Sequence, residues 1–573
     1  MRRLHVLFAL LASVSFCACS NDPGTGGGDD GGDDDVPPTP TWKIDVDMSG
    51  LDRYAPADAT TWTIAGKVTA SEGVDRVTIA GADAATMSDG TFTGDTAIMP
   101  GLNPIAILAT DQASHTRKAN RSILSASYLP AGAHNANGAA MILSDAIVAA
   151  MGEGLAGEAG DVDVAAEILA RDVLSQDSRC TTWPVEASQG TPQVNLELDG
   201  ADLWLQIRIP NLYVYFEGQC QGLLSTIPIG GEMGGTLDIW TRLTPNPQPG
   251  HDCLTAFRHT APQVNVGGWH FDVWGTSGPL QAWIVSLFSG GKSEEAREQI
   301  RSEVGTRANT MLAEKLADIS VFDRTSELEL LGRPLGMHLC VSSLDRVGTG
   351  TSARLIARVA AAATGAGTRV APGAPQTSGA VPNPAAGELL LDGNLVAQLL
   401  FAAWQDGGLT KPGVEEVETD VLALVAPEIG LRYPSGTKAI VNLDGDLPPY
   451  VRATPGGTGD LKVEIGDLVL DLVVGEDRLF RVGAVLRLDL ELVPMDGKLV
   501  PTVVGSEATA HVLDELYDGT DDLLETVIAT KVGSTATSLL SGAAIALPQL
   551  PGLGTPADVT PDAGGRFVRI RMQ

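Results

Sequence analysis

Residues 393–409 read GNLVAQLLFAAWQDGGL. Between Leu395 and Trp404 only Gln398 is polar, so a helix here has no polar stripe to turn toward water. Such a helix needs apolar surface on nearly every side.

On both flanks the sequence alternates. After the helix, LRLDLEL sets Leu486, Leu488, Leu490 and Leu492 on one face and Arg487, Asp489 and Glu491 on the other. Earlier in the chain, DLWLQIRIP places Leu203, Leu205, Ile207 and Ile209 against Trp204, Gln206 and Arg208, and NLYVYFEG repeats the pattern with Leu212, Val214 and Phe216. These are half-buried antiparallel strands. Helical spacing is read over 138–178. GPLQAWIVSLF (278–288) is apolar nearly all round and leads into a charged helix, EEAREQIRSEVGTRANTMLAEKLADI. An amphipathic helix is expected over 521–540, with Leu524, Val527, Ile528, Val532 and Leu539 on one side, and a closing strand over RFVRIRM.

The order of short strand, apolar helix, long sheet and amphipathic helix occurs twice. Ile142–Ala149 aligns with Leu390–Ala397, and a Gly/Pro/Ala-rich segment, 365–386, separates the halves. The expected division is 129–364, linker 365–386 and 387–573. Before these, residues 43–128 carry short strand-like runs separated by Gly and Asp turns, the spacing of a β-sandwich. Their arrangement, with Gly101, Asn103 and Ile105 before the last strands, resembles bacterial Ig-like modules and implies a spacer or adhesive role.

The first 19 residues read as a signal peptide: Arg2 and Arg3, then a short apolar run, Leu4–Val14. The sequence SFCACSND resembles a lipobox, with Cys19 as the lipidated residue after Ala18 and Phe16 standing where Leu is usual. Ordinary cleavage is the alternative. Residues 20–42 are Gly, Asp, Pro and Thr with almost nothing apolar, a disordered tether. Ser20 after Cys19 points to the outer membrane by the sorting rule of enteric bacteria. The expected location is therefore the bacterial cell envelope, lipid-anchored. Four further cysteines, Cys180, Cys220, Cys253 and Cys340, suit two disulfides in an exported chain. Of three pairings, Cys220 with Cys253, which bracket a strand pair, and Cys180 with Cys340 is favoured. No CxxC pair supports zinc.

A formal net charge of −33 excludes nucleic acid and anionic lipid surfaces as partners. No HExxH, G-x-S-x-G or Walker loop occurs. Ser289 and Lys292 match S-x-x-K by letter but read as part of a glycine turn. Asp518, Asp521 and Asp522 read as a helix N-terminus. The neighbourhoods His251-Asp252-Cys253 and Trp269-His270 read as ordinary turn and strand residues. No enzyme activity, cofactor or metal is expected.

LLLDGNLVAQLLFAAWQDGGL (389–409) resembles the opening of the second domain in the bactericidal/permeability-increasing protein family. That family also holds lipopolysaccharide-binding and cholesteryl-ester transfer proteins and belongs to the tubular lipid-binding (TULIP) superfamily. AIALPQLPGL (544–553) is similar to the run before its last strand, and AWIVSLF (282–288) to the start of its first long helix. The resemblance implies a mainly β fold with long helices (α+β): tandem TULIP-like domains, each a twisted antiparallel sheet wrapped round a helix, preceded by the Ig-like β-sandwich. It also implies a lipid or other hydrophobic ligand in apolar slots. The residues expected to line them are Leu395, Leu399, Leu400, Ala403, Trp404, Leu524 and Ile528 in the second copy, and Ile147, Trp283 and Leu287 in the first. The acidic balance departs from the basic tips of the host-defence members and disfavours lipopolysaccharide capture. The alternative is a structural or adhesive surface lipoprotein whose domains are filled by side chains.

Overall fold

In a computed structural model, the chain is described over residues 43–159, 163–176, 180–199, 202–221, 226–246, 253, 256–274, 323–347, 352–365, 367, 369–516, 544–546 and 554–573. Scattered helical residues between 298 and 310 and between 524 and 532 are also described. Residues 43–573 lie within one compact unit. Cys19, the signal peptide and the acidic tether lie outside the described residues, as do Trp283 and Leu287 and most of the helices expected over 278–319 and 521–540.

The expectation of long helices is overturned. Among the described residues the fold is mostly β, 62% strand and 12% helix, built of several curled sheets. Among the described residues two helices reach seven residues, Asp145–Ala159 and Gly393–Gln405. Part of the difference lies at 138–143, the start of the expected helical stretch, which belongs to the strand Asn135–Leu143. It is hydrogen-bonded on both edges, to Ala353–Ala363 and to Glu388–Asp392. A strand buried on both faces is apolar throughout, and its periodicity does not separate it from a buried helix.

Five sheets make up the described chain. Two form the N-terminal sandwich, around Ile64, Val77, Ile79, Phe92, Ile107 and Ile123. The first half contributes a curled sheet around the long strands Asp202–Gln221 and Thr226–Asn246. The second contributes another around Leu461–Val474, Asp477–Met495 and Lys498–Glu515. On each, the leucine and isoleucine faces read from the alternation are buried.

The fifth sheet joins the halves. Its order is Asp323–Leu330, Arg333–Arg346, Ala353–Ala363, Asn135–Leu143, Glu388–Asp392, Phe567–Met572 and Pro556–Pro561, so strands from before and after 365–386 form one ladder. At the seam Ala139 pairs with Leu391, Ala140 with Leu390 and Met141 with Leu389. These pairs lie at or just before the start of the echoed segments 142–149 and 390–397, so the seam joins the two strands that lead into them. Each seam strand then turns into its copy's apolar helix.

Segment 365–386 also joins the fold. Ala374–Gln376 pairs with strand Thr116–Leu129 of the sandwich. The sandwich is held to the second half as well. Strand Leu461–Val474 bulges at Gly466-Asp467, where a Cβ on Gly466 would lie 2.6 Å from Leu102 Cδ1 and 2.9 Å from Ser122 Cβ. Asp467, at a φ of 48°, accepts from Ser122 N–H at 2.9 Å and from Arg53 Nη1 at 3.2 Å. Burial pushes its carboxyl above the usual range, against the pull of these donors. Tyr54, Tyr128 and Tyr450 add an aromatic cluster around Leu124 and Ala126.

The disulfides are Cys180–Cys220 and Cys253–Cys340, which corrects the favoured pairing. Cys180 and Cys220 are direct partners across an antiparallel ladder, with Cα atoms 4.0 Å apart, a proximity set by strand register.

Two outcomes follow from these contacts. Asp392, fully buried at the seam, has Arg566 and Asn135 as partners. Its replacement by Ala leaves the guanidinium unpaired, with an expected loss of about 3–5 kcal/mol, read from urea denaturation followed by circular dichroism. His511, on strand Lys498–Glu515, has its imidazole pushed down to about 4 by burial, with Lys118 and Arg121 of the sandwich adding to the effect. The unfolded chain therefore binds more protons than the folded one between about pH 4 and 6.5. Stability should rise with pH across that window, and His511→Gln should flatten the rise in melting curves taken at successive pH values.

Candidate functional site

The apolar helix is built from its ends inward. Asp392 is its N-cap: its side chain accepts from Asn394 N–H at 2.9 Å. The same carboxylate takes Asn135 Nδ2 at 2.7 Å and Arg566 Nε at 3.0 Å, with Arg566 Nη2 as a further donor. Desolvation raises its carboxyl above the usual range, and the Arg566 and Asn135 hydrogen bonds work against that rise. Gly393 donates to Arg566 O at 2.8 Å, in a place where a Cβ would collide with that same oxygen. At the other end Gly407, with φ 77°, donates to Trp404 O and Gly408 donates to Ala403 O, a Schellman stop.

The helix does not sit inside a sheet of its own copy. It packs on the shared sheet, against Arg333–Arg346, Asn135–Leu143 and Ala353–Ala363 of the first half, and against the short strands Ala374–Gln376 and Tyr450–Ala453. Trp404 fastens it to the second half. Its indole N–H donates to Gly445 O at 2.7 Å, Phe401 lies 5.7 Å away, and the Arg369 guanidinium stands 5.6 Å from its ring. Asn394 ties the other end to Thr377 by a reciprocal pair of hydrogen bonds.

Leu395, Leu399, Leu400, Ala403 and Trp404 are all buried. They belong, with Ile147 of the first copy and Leu524 and Ile528 of the second, to one continuous apolar core that runs across both halves. The structure thus gathers eight of the ten expected lining residues into one apolar interior; Trp283 and Leu287 are the two outside the described residues.

Gln398 stands apart within that interior. It is 3% exposed, and among the described residues neither its amide nitrogen nor its amide oxygen has a hydrogen-bond partner. The signal was visible as the single polar residue between Leu395 and Trp404; its role was not. Asp392 and Arg566 were also missed as a pair, although an Asp immediately before an apolar helix is a capping signal. Elsewhere, His134, Cys253 and Cys340 lie close together, but both sulfurs are joined in the disulfide and offer no thiolate to a metal.

No family model matches this chain, and no curated protein matches it. Among solved structures it is similar to the crystal structure of a lipopolysaccharide binding protein, at 12% identity and a TM-score of 0.41, over 76% of this chain and 98% of that one.

A buried amide without partners costs about 1–3 kcal/mol. In protein free of ligand, Gln398→Leu should therefore raise the melting temperature, measured by differential scanning calorimetry, whereas Leu400→Ala should lower it by the cavity it opens.

Proposed function

We propose that this protein binds a lipid or another hydrophobic ligand against the helix Gly393–Gln405, and that it does so as an envelope lipoprotein anchored through Cys19. The observation that carries the binding reading is Gln398. An interior lined by Leu, Ala, Phe and Trp has no internal use for an amide that neither donates nor accepts. A ligand with a long apolar body and one ester, carboxyl or amide group supplies both requirements. Its chain replaces water contact with contact to the core, worth about 0.8 kcal/mol per methylene, and its polar group partners Gln398. For a sixteen-carbon chain the apolar contribution is on the order of 12 kcal/mol before ordering costs.

Selectivity on this reading is loose in chain length and sharper in the polar group. Nothing in the reading assigns a reaction; the role is carriage, transfer or sensing. The acidic balance of the chain favours neutral or zwitterionic ligands over anionic ones. The anchor follows from the lipobox-like sequence and the acidic tether, which would hold the folded part away from the bilayer.

The test is direct. The full chain carrying Cys19→Ser, purified without detergent, is extracted with organic solvent and its lipids are identified by mass spectrometry. Stoichiometric lipid is expected from this protein and a reduced amount from the same chain with Gln398→Leu. A clean extract, with no uptake of a fluorescent acyl probe afterwards, would transfer the assignment to the structural or adhesive alternative.

A further inference from the structure

The curled sheet of the first half has a second face. Its inner face carries the buried leucines and isoleucines. Its outer face, read across the ladder, is of different chemistry. Trp183 lies opposite Glu217, Glu217 opposite Gly230, and Gly230 opposite Trp274. The next outward row is Glu186, Tyr215, Glu232 and Asp272, and the one after it Ser188, Tyr213, Gly234 and His270. Residues directly opposite on adjacent strands share a face, so these three rows form one surface.

Two features make this surface a built one. First, two of the rings stack. Tyr215 and Trp274 have centroids 5.9 Å apart and planes only 20° from parallel, although a whole strand separates them. They meet above Gly230. A Cβ there would stand 3.2 Å from Trp274 Nε1 and 3.6 Å from the Tyr215 hydroxyl, so the glycine is what lets the two rings close over the middle strand. Trp274 remains 41% exposed. Secondly, the rings are interleaved with carboxylates held in place. Tyr213 donates to Glu232 at 3.1 Å, and Tyr215 to Glu217 at 3.4 Å. None of the three rows contains Lys or Arg.

We propose that this outer face binds a neutral oligosaccharide. A pyranose presents an apolar face of C–H bonds and a rim of hydroxyls. Near-parallel aromatic rings take the first, and carboxylates that accept from hydroxyls take the second. The absence of cations rules against phosphorylated or acidic sugars, which the four carboxylates would repel. A quaternary amine would require rings that enclose it, and these two stack on each other with near-parallel planes. A lipid surface would require apolar area unbroken by acids. The site is independent of the proposed lipid site: it lies on the opposite face of the first-half sheet from the apolar core.

The experiment titrates the full chain carrying Cys19→Ser with cellohexaose, laminarihexaose, maltohexaose and chitohexaose in turn, followed by tryptophan fluorescence and calorimetry. Choline chloride and phosphatidylcholine vesicles serve as competitors. Saturable binding of at least one hexasaccharide, unaffected by high salt, is expected. Trp274→Ala should weaken it roughly tenfold or more, and Trp274→Phe should retain most of it. Gly230→Thr, which wedges the rings apart, should abolish it. Absence of binding to all four sugars overturns the proposal. So does undiminished binding by Trp274→Ala with an unchanged melting curve, or displacement of the sugar by choline or by vesicles. Where Gly230→Thr fails to fold, the Trp274 pair of variants decides.

Discussion

The carboxylate of Asp392 is the point on which the two halves of this protein depend. It is fully buried, and removal from water makes an ionised carboxylate costly unless donors surround it. Here the donors come from three distant parts of the chain: the Asn135 amide of the first half, the Arg566 guanidinium just before the last strand, and the Asn394 N–H of the apolar helix. Satisfying one charge therefore fixes where the first half begins, where the second half closes and where the helix begins. Removing any one donor leaves the remaining groups buried with fewer partners, which is why the arrangement is specific as well as stabilising.

The shared sheet follows from that junction. Met141 and Leu389 pair at the seam, and each seam strand passes directly into its own helix. The helix Gly393–Gln405 then lies across the seam on strands of the other half, and Trp404 returns it to its own half through Gly445 O. A helix with apolar residues on nearly every side is needed because it is covered from both directions. Gln398, the polar side chain of that helix left without a hydrogen-bond partner among the described residues, is where the interior departs from plain packing, and it is the residue on which the functional reading turns.

The N-terminal sandwich is part of the same body. The bulge at Gly466-Asp467 admits Leu102 and Ser122, and Ala374–Gln376 adds a strand to Thr116–Leu129. An independent spacer would have no reason to bury Asp467 and to set His511 against Lys118 and Arg121. The sandwich thus braces the second half, while the outer sheet face of the first half keeps its aromatic rows open to solvent.

Much of this was present in the order of residues. Alternation located the inward leucines of 202–216 and 486–492, because a half-buried strand writes its two environments into successive positions. The apolar run 395–404 located the helix, and the echo of 142–149 in 390–397 fell on the two strand-to-helix turns beside the seam. What the sequence could not carry was pairing between distant segments. Residues 138–143 read as helix because burial on both faces erases periodicity. The cysteines were mispaired because ladder register, rather than spacing along the chain, brings Cys180 opposite Cys220. The cover of the helix was misplaced for the same reason: its apolarity states that something surrounds it, and only the tertiary structure decides that strands of the opposite half supply the surface.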